Sequence, residues 1–385
     1  MTRRRIGTLT VVLIRVWSRP VPERGARPNV PTARKAVLRV ARAITNPLLP
    51  DDYLELINPL WSSRELRGRV ERVEPETDSA KTVVIRPGWE FAGHEPGQYI
   101  RVGFDVEGVR HWRAYSLTSD PRNDEGVISI TVKGVDEGKV SSYINRKLRP
   151  GTIITLGEVT GEFTLPDPLP EKLLFISAGS GVTPIMSMLR DLDHRGELED
   201  ALHIHSAKDR DDVIFGEQLR AMQQRNEGFR LHEQHTSTMD RFAPIHLDEL
   251  CPDWTVREAF VSGPAELLDA LCEHWEEHGD ADRLHLERFQ PVYGEGGAEG
   301  EGGSVSFLKS ETEAEADGGM SILVAGENAG LELPYGCRMG ICHTCVGKLC
   351  SGKVRDLRSG ELQDLEGQTI RTCIHAPEGD IEIEL

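Results

Sequence analysis

Four cysteines near the C-terminus have a spacing that suits an iron–sulfur cluster. Cys337, Cys342 and Cys345 follow one another as C-x4-C-x2-C, and Cys373 comes after a longer gap. Two irons need four converging thiolates, so three on one tight loop and a fourth from a separate segment indicate a 2Fe–2S cluster. Zinc sites favour paired short spacings, so a zinc knuckle or a set of reduced core cysteines fits this pattern less well.

Other residues around the loop are expected to play supporting roles. Gly336 and Gly340 let the backbone curl around the cluster. His343 would suit a site with histidine ligands, but four cysteines make such a ligand unnecessary, so we expect it to lie partly exposed over the cluster. Cys350 follows apolar residues and is expected to be a small core residue.

The composition bounds the number of domains and the class of partner. A chain of 385 residues predicts two or three domains with separate cores. A net charge of −18 argues against nucleic-acid binding, which depends on basic patches. It suits either docking to a basic redox partner or a solubilising surface. Seven cysteines with four assigned to a cluster leave no disulfide framework, which predicts a reducing cytosol.

Residues 1–63 form an extension before the first domain. Residues 1–30 are basic, then apolar, then proline-containing, which predicts a disordered leader or an over-long start. Thr32 begins a basic amphipathic helix that reaches Ile44. Such a helix either packs on its own protein or lies on an anionic membrane surface, at the inner face for a cytoplasmic protein. No stretch reaches the length of an apolar membrane-spanning helix.

Three domains are predicted after the extension. In residues 64–170, Pro and Gly separate short β-type runs, which predicts a small antiparallel barrel. The runs are Leu66–Val73, Thr82–Arg86, Gln98–Phe104, Trp112–Leu117, Val127–Val132 and Ile153–Leu156. Residues 171–290 alternate strands with helices and predict an α/β domain with a parallel sheet. Residues 291–303 are an acidic, glycine-rich linker, and residues 304–385 hold the cysteines.

A glycine turn in the second domain is suited to phosphate. The buried-type strand that ends at Ser177 runs into Gly179, Gly181, Thr183 and Pro184 at the start of a helix. A turn of this kind lets a phosphate approach the backbone and the helix N-terminus. Lys208 and Arg210 follow the next strand, where they either hold the 2′-phosphate of NADPH or form a solvated charge cluster.

The segment Arg113-Ala114-Tyr115-Ser116 resembles the flavin-binding signature of the ferredoxin–NADP reductase superfamily. The resemblance implies that Arg113 meets the flavin phosphate, Tyr115 stacks on the ring and Ser116 bonds near its N5 atom, as a catalytic residue. Alternation along a strand places Arg113 and Tyr115 on one face. The helix start with Gly138, Val140, Ser141 and Ser142 resembles the diphosphate segment of members that bind FAD, although any serine-capped helix would look similar.

The same superfamily accounts for the later motifs. The turn from Gly179 to Pro184 resembles its nicotinamide-nucleotide loop. Ser262 precedes Gly263 and Pro264 where members usually carry cysteine, which leaves its catalytic contribution to hydride transfer open. By resemblance, Glu287 lies near the flavin and Phe289 shields it, although a final strand with alternating burial would look the same. Residues 304–385 resemble plant-type ferredoxins, which implies an α+β β-grasp fold.

These motifs together predict electron transfer from NAD(P)H through FAD and the 2Fe–2S cluster to an acceptor protein. NADPH is favoured over NADH. Nearly end to end, the chain resembles actinobacterial oxidoreductases that serve membrane di-iron acyl-CoA desaturases, which implies such a desaturase or a related alkane hydroxylase as the partner. The alternatives are an NADH-dependent reductase of a ring-hydroxylating oxygenase and a redox sensor that does not turn over.

Overall fold

The computed structural model describes residues 57–62, 64–135, 138–288, 300–331, 333–335, 340 and 343–385. The chain divides into two compact units, Met1–Tyr53 and Leu54–Leu385, and every described residue belongs to the second. The helix predicted from Thr32 to Ile44 therefore lies outside the described residues, as do Phe289, Cys337 and Cys342. No helix in the described ranges is long and apolar enough to cross a membrane.

The first sheet is antiparallel and closes on itself, as predicted. Its strands are β1 (Arg67–Pro75), β2 (Ala80–Pro87), β3 (Tyr99–Val106), β4 (Val109–Ser116), β5 (Ile128–Lys133) and β6 (Ile153–Thr160). They are ordered β4-β3-β6-β1-β2-β5. The two end strands meet where Leu117 bridges Ile130. Helix α1 (Lys139–Arg146) inserts Val140 and Ile144 into the barrel core, and a 3₁₀ turn (Pro59–Trp61) precedes β1.

The second sheet is entirely parallel, which confirms the α/β prediction. It contains β7 (Leu173–Ala178), β8 (Ala201–Ala207), β9 (Phe229–His235), β10 (Glu258–Gly263) and β11 (Leu284–Arg288), in the order β11-β10-β7-β8-β9. From β7 the chain first adds β8 and β9 on one side and then adds β10 and β11 on the other, so the order of the strands reverses between β7 and β10. At such a point the carboxyl ends of the strands leave a crevice in which open α/β sheets bind ligands.

Helices cover both faces of the parallel sheet. They are α2 (Val182–Arg195), α3 (Gly216–Arg225), α4 (Leu247–Leu250) and α5 (Ala265–His278), with 3₁₀ turns at Gly179–Gly181, Arg210–Asp212, Pro244–His246, Trp254–Val256 and Ala281–Arg283. Helices α2 and α3 pack on the face that carries Phe175 and Phe260. Helices α4 and α5 pack on the opposite face, against Ile176 and Val261.

The C-terminal sheet is mixed and confirms the β-grasp prediction. It contains β12 (Gly303–Phe307), β13 (Thr312–Ala316), β14 (Val346–Asp356), β15 (Leu362–Gln363), β16 (Thr369–Arg371) and β17 (His375–Glu384), with helix α6 (Ile322–Asn328) packed on it. Only the β12–β17 pair is parallel among the strands described there. The expectation that Cys350 is a core residue is wrong: it is half-buried, because β14 is irregular between Leu349 and Ser351. We propose domain boundaries near residues 170 and 303.

Two positions at the start of α2 require glycine for different structural reasons. A Cβ on Gly181 would lie 2.1 Å from the backbone oxygen of Ser262, so the helix could not sit this close to β10. Gly179 has a φ of +53°, yet a Cβ there would meet nothing within 4 Å. Gly181 is therefore needed for packing and Gly179 for backbone conformation.

We predict that Gly181→Ala lowers the melting temperature more than Gly179→Ala does. The Gly181 variant must separate α2 from β10, which costs about 1–3 kcal/mol or more for overpacking. The Gly179 variant bears only the left-handed backbone penalty of about 1–2 kcal/mol. Thermal unfolding followed by far-UV circular dichroism measures both. Equal shifts would mean that α2 is free to move away from β10.

Candidate functional site

A cavity of about 500 Å³ joins the barrel to the nucleotide loop. It is lined by Ala114, Tyr115, Ser116, Thr131, Val132, Lys133, Gly134, Val135, Ser180 and Thr183. The strand signature and the glycine turn are distant in sequence, and the fold brings them to one place. Both were predicted to contact cofactors.

The cavity fits a flavin because it contains a buried polar atom in need of a partner. Ser116 is 6 % exposed, and its Oγ has no hydrogen-bond partner among the described residues. Buried hydroxyls are nearly always bonded, so such an atom points to a ligand or an ordered water. The ring of Tyr115 is half-buried at the same cavity and is held edge-on by Phe104, at 6.3 Å between ring centroids.

Arg113 connects the flavin strand to the ferredoxin domain. Its Nη1 donates to the backbone oxygen of Trp112 at 2.8 Å, and its guanidinium lies 5.8 Å from the centre of the Tyr335 ring. The Thr344 hydroxyl also donates to the Trp112 oxygen, at 3.4 Å. Strand β4 therefore contacts both ends of the cysteine loop. The role of Arg113 toward a flavin phosphate stays a prediction.

The start of α1 offers backbone amides more than side chains. The Ser141 hydroxyl donates to the Gly138 oxygen and accepts from the Val135 amide, both at 3.3 Å, so it closes its own turn. Val140 is buried in the barrel core. The backbone N–H groups of a first helical turn suit a pyrophosphate. The predicted contacts of Gly138 to Ser142 remain predictions, with the backbone as the candidate donor.

The nucleotide loop leaves room for a phosphate at Gly179. Around that residue the space is open, as described above, while Thr183 and Pro184 are buried. The Thr183 hydroxyl donates to the Ser180 oxygen at 2.9 Å and fixes the first turn of α2. Gly263 lies against Ala178: a Cβ added to Gly263 would be 3.3 Å from the Cβ of Ala178. The loop and the end of β10 therefore lie close together.

A second cavity of about 500 Å³ extends from this loop and is lined by three cations and by the carboxylates of Asp212 and Glu266. Gly179, Pro264, Lys208 and Arg241 all line it, and Lys133 lines both this cavity and the flavin cavity. Positive side chains beside an open glycine turn suit a phosphorylated dinucleotide. Arg210 is not brought here, because it lines a separate cavity beside α3.

Lys133 and Arg241 were missed by the sequence analysis. Each is a single charged residue in an ordinary context, at the end of β5 and after β9 respectively. The two residues become candidates for cofactor binding because the fold brings their elements close to the glycine turn. No local sequence signal would have found them.

Ser262 and Glu287 lie side by side at the ends of β10 and β11. They are register partners in a parallel pair, so their side chains share a face of the sheet. Ser262 is fully buried, and its Oγ has no partner in the described part of the chain. Glu287 is half-buried, and desolvation raises the pKa of its carboxyl to about 7. A carboxyl of this kind can take up or release a proton near neutral pH.

The two described cluster cysteines come together in the ferredoxin domain. Cys345 and Cys373 are 1 % and 2 % exposed and share an apolar cluster with Leu323 and Ile374. The Thr372 amide and hydroxyl donate to the Cys345 oxygen at 2.8 and 3.0 Å, which ties the two segments together. Thiolates that converge in an apolar setting fit an iron–sulfur cluster.

Gly340, which precedes Cys345 in the sequence, is held by its neighbours. Its φ is +73°, and an added Cβ would lie 2.6 Å from Ile374, so this position requires glycine. Arg371 donates to the Gly340 oxygen at 2.8 Å. His343 is exposed, with a φ of +54°. The predicted ligands Cys337 and Cys342 lie outside the described residues.

Family models match each of the three domains. An oxidoreductase FAD-binding domain matches residues 87–164, and an oxidoreductase NAD-binding domain matches residues 175–272. A 2Fe–2S iron–sulfur cluster binding domain matches residues 307–378. These matches, together with the cavities and the paired cysteines, show that the chain binds FAD, NAD(P)H and a 2Fe–2S cluster.

Related proteins have the same organisation. An NADPH oxidoreductase of Mycobacterium tuberculosis is 44% identical over 353 residues, which cover 91% of this chain and 92% of that protein. A glycine betaine monooxygenase reductase subunit of Pseudomonas aeruginosa is 28% identical over 319 residues, covering 75% of this chain and 87% of that subunit. A solved phthalate dioxygenase reductase shares the fold with a TM-score of 0.55 at 21% identity, covering 83% of this chain and 98% of that one. The chain therefore belongs to the ferredoxin–NADP reductase family, as an NAD(P)H-dependent oxidoreductase with a C-terminal 2Fe–2S ferredoxin domain.

Proposed function

We propose that this reductase prefers NADPH and delivers electrons to the iron centre of a separate membrane enzyme, a di-iron fatty-acyl desaturase or an alkane hydroxylase. One observation carries the coenzyme preference: Lys208 and Arg241 line the same cavity as Gly179 and Pro264. Two cations at the far end of a dinucleotide site distinguish a 2′-phosphate from a hydroxyl. The name of the relative from Mycobacterium tuberculosis supports the same coenzyme.

The cofactors supply the redox chemistry, since a flavin accepts the electron pair of a hydride and an iron–sulfur cluster accepts single electrons. The protein orients the reactants. Gly179 admits the coenzyme phosphates, and Gly263 and Ser262 bring the nicotinamide end toward the flavin cavity. The Tyr115 ring and the Ser116 hydroxyl line the inner part of the cavity and would position the flavin.

Glu287 has the task of holding and moving a proton beside the nicotinamide end. Its raised pKa of about 7 places both protonation states within reach at neutral pH. The neighbouring Ser262 hydroxyl, which lacks a described partner, is available to bond to it directly or through water. Strand β4 completes the route, because Trp112 and Arg113 contact Thr344 and Tyr335 on the ferredoxin domain.

The choice of a membrane acceptor is supported by the sequence that precedes Leu54. Residues 1–53 contain eleven Lys and Arg against three Asp and Glu, while the whole chain has a charge of −18. A basic segment of this kind is attracted to anionic lipid headgroups. We propose that it holds the reductase beside its acceptor at the cytoplasmic face of the membrane.

A second candidate is the reductase of a ring-hydroxylating oxygenase or a related monooxygenase. Relatives at 28% identity are named as reductase subunits of glycine betaine monooxygenase. In that case NADH and a soluble acceptor would replace NADPH and the membrane enzyme. A comparison of kcat/KM for NADPH and NADH in the wild-type protein separates the two candidates.

Removal of either cation should impair NADPH selectively. We predict that Lys208→Ala and Arg241→Ala each lower kcat/KM for NADPH about 10–100-fold, since a lost charge-assisted hydrogen bond costs about 1.5–3 kcal/mol. The kcat/KM for NADH should stay within about twofold, because a hydroxyl makes no ion pair. Steady-state ferricyanide reduction with both coenzymes measures this. Arg210→Ala is the matched comparison. An equal loss of kcat/KM for NADPH in that variant would mean that Arg210 also binds the 2′-phosphate, against our proposal.

Glu287→Gln should alter the pH dependence of stability in a defined direction. Because burial raises the Glu287 pKa from 4.5 to about 7, the folded protein keeps this proton while the unfolded chain releases it. The contribution of Glu287 to the free energy of unfolding of the wild-type protein is therefore fully present below about pH 4.5. It is lost as the pH rises to about 7. We predict that the melting temperature of Glu287→Gln, relative to wild type, rises between these values and then levels off. A constant difference would show that Glu287 has an ordinary pKa.

Deletion of residues 1–45 should separate internal electron transfer from partner coupling. We predict unchanged cytochrome c reduction, because the cofactor sites lie in Leu54–Leu385. Turnover of a vesicle-embedded desaturase should fall at least about 10-fold at low ionic strength, since a lost basic segment removes about 1 kcal/mol per cation near the surface. A full-length variant with Arg34, Lys35, Arg39 and Arg42 replaced by Gln is the matched control. Equal loss of both activities would refute the partner role.

A further inference from the structure

A row of polar side chains crosses the parallel sheet one level below the nucleotide loop. Glu287 pairs in register with Ser262, Ser262 with Ser177, Ser177 with His205, and His205 with Glu233. Register partners in parallel strands point to the same face, so the five side chains form one line over all five strands. The proposed function uses Ser262 and Glu287, at one end of this line, and gives its middle no role.

The centre of the row is a buried hydrogen-bonded cluster. The Ser177 hydroxyl lies 2.7 Å from His205 Nδ1 and 2.8 Å from His203 Nε2. All three residues are at most 1 % exposed. Burial lowers the pKa of His205 to about 4, with His235 and Lys133 acting in the same direction and the Glu233 carboxylate against them. Burial and the neighbouring His205 also lower the pKa of His203, so both imidazoles are neutral at pH 7, with one nitrogen that accepts and one that donates.

Several atoms of the row and of the adjacent His203 lack hydrogen-bond partners in the described part of the chain. His205 Nε2, His203 Nδ1 and Ser262 Oγ are buried without hydrogen bonds to any described residue. Each such atom costs about 1–3 kcal/mol unless water satisfies it. Among the register pairs of the row, Ser177 and His205 bond directly in the described structure, and the other three pairs would each be joined through a bridging water. The large side chains that flank the row, Phe175 and Phe260, are apolar.

The far end of the row reaches solvent. Glu233 accepts from Arg220 Nε and Nη2 at 2.7 and 3.0 Å, and its other contact is His235 Nε2 at 3.0 Å. The side chains of His235 and Arg220 are 25% and 23% exposed. The opposite end is Glu287, beside the flavin and nicotinamide positions. The row thus links the reaction site to the open edge of the sheet at β9.

We propose that Glu287, Ser262, Ser177, His205 and Glu233, with bridging waters, form a proton pathway from the flavin site to solvent. The proposal rests on the proposed function. A hydride is one proton and two electrons, so oxidation of one NADPH to NADP⁺ and reduction of two one-electron acceptors leaves one proton. When a bound flavin returns the two electrons of the hydride one at a time to the cluster, the Glu287 carboxylate would accept the one proton left over, as an O–H bond on its oxygen.

The proton then moves along the row by exchange of bonds. Each serine hydroxyl accepts a proton while it releases its own, and His205 accepts on one ring nitrogen and releases from the other. Glu233 and His235 pass the proton to solvent. His203 is a positioning residue, because its bond to Ser177 sets the direction of the Ser177 hydroxyl.

The test compares proton release with electron transfer in the full-length FAD- and cluster-loaded protein. Wild type, Ser177→Ala and Ser177→Thr are mixed anaerobically with NADPH and cytochrome c in weak buffer that contains a pH indicator, in H₂O and in D₂O. We expect Ser177→Ala to slow proton release and cytochrome c reduction together by about 10–100-fold, with a larger solvent isotope effect, since a positioned proton-transfer group contributes about 10²–10⁴-fold. Ser177→Thr keeps the hydroxyl and should restore both rates.

Two further readouts separate a proton pathway from a structural role. Flavin bleaching by NADPH without cytochrome c reports hydride transfer and should be unchanged in Ser177→Ala. His232→Gln alters a histidine on β9 that bonds to Gln234 outside the row, and it should behave as wild type. If Ser177→Ala loses its FAD, His205→Gln replaces it in the test. Glutamine cannot pass a proton between two ring nitrogens, so we expect the same slowing of proton release and cytochrome c reduction.

The outcomes are distinct. Wild-type proton release and isotope effect in both Ser177→Ala and His205→Gln would overturn the pathway, as would an equal slowing of hydride transfer and proton release. Failure of NADPH and NADH to bleach the flavin of the wild-type protein would instead overturn the proposed function on which the pathway rests.

Discussion

Helix α2 fixes the geometry on which the flavin and nucleotide sites both depend. Its N-terminus carries the glycine turn and fits against β10 because residue 181 has no side chain. Its outer face bonds to the barrel segment that follows the flavin strand. The contacts are Ser187 Oγ to the Ser119 oxygen at 2.7 Å, Asp191 to Arg122 at 2.8 Å, His194 to Asp120 at 2.6 Å, and Arg190 to the Thr118 oxygen. One helix therefore sets the distance between the glycine turn and the barrel segment that follows the flavin strand.

The second constraint is the mismatch between a hydride donor and single-electron acceptors. The contact of β4 with Tyr335 and Thr344 brings the cluster loop to the flavin strand, which gives electrons a short route. A proton cannot follow that route to the cluster. The polar row across the parallel sheet, with Ser177 and two neutral histidines at its centre, offers a separate exit. Electrons and the proton would leave the flavin site in different directions.

Much of the fold was predictable because its signals are local. Three of the four cysteines, the alternation in Arg113-Ala114-Tyr115-Ser116 and the strand–glycine–helix turn each lie within about a dozen residues. The antiparallel barrel, the parallel sheet and the β-grasp domain are confirmed. The sequence also indicated Ser262 and Glu287, and the register of β10 with β11 places them side by side.

The remaining site features depend on contacts between distant segments. Arg241 and Lys133 reach the nucleotide cavity from separate elements, and Arg210 points to another cavity although it lies two residues from Lys208. The polar row depends on the registers of four strand pairs, which no single segment encodes. The half-burial of Cys350 depends on an irregularity in β14 opposite β17.

An anaerobic visible spectrum before and after addition of NADPH, and separately of NADH, tests the account most directly. We expect flavin absorption over a broad iron–sulfur band, with both bleached and NADPH acting faster. Bleaching of the flavin without the cluster would contradict the proposed contact of β4 with the cysteine loop as the electron route. Bleaching by NADH alone would contradict the NADPH assignment, and no bleaching by either coenzyme would contradict the reductase function itself.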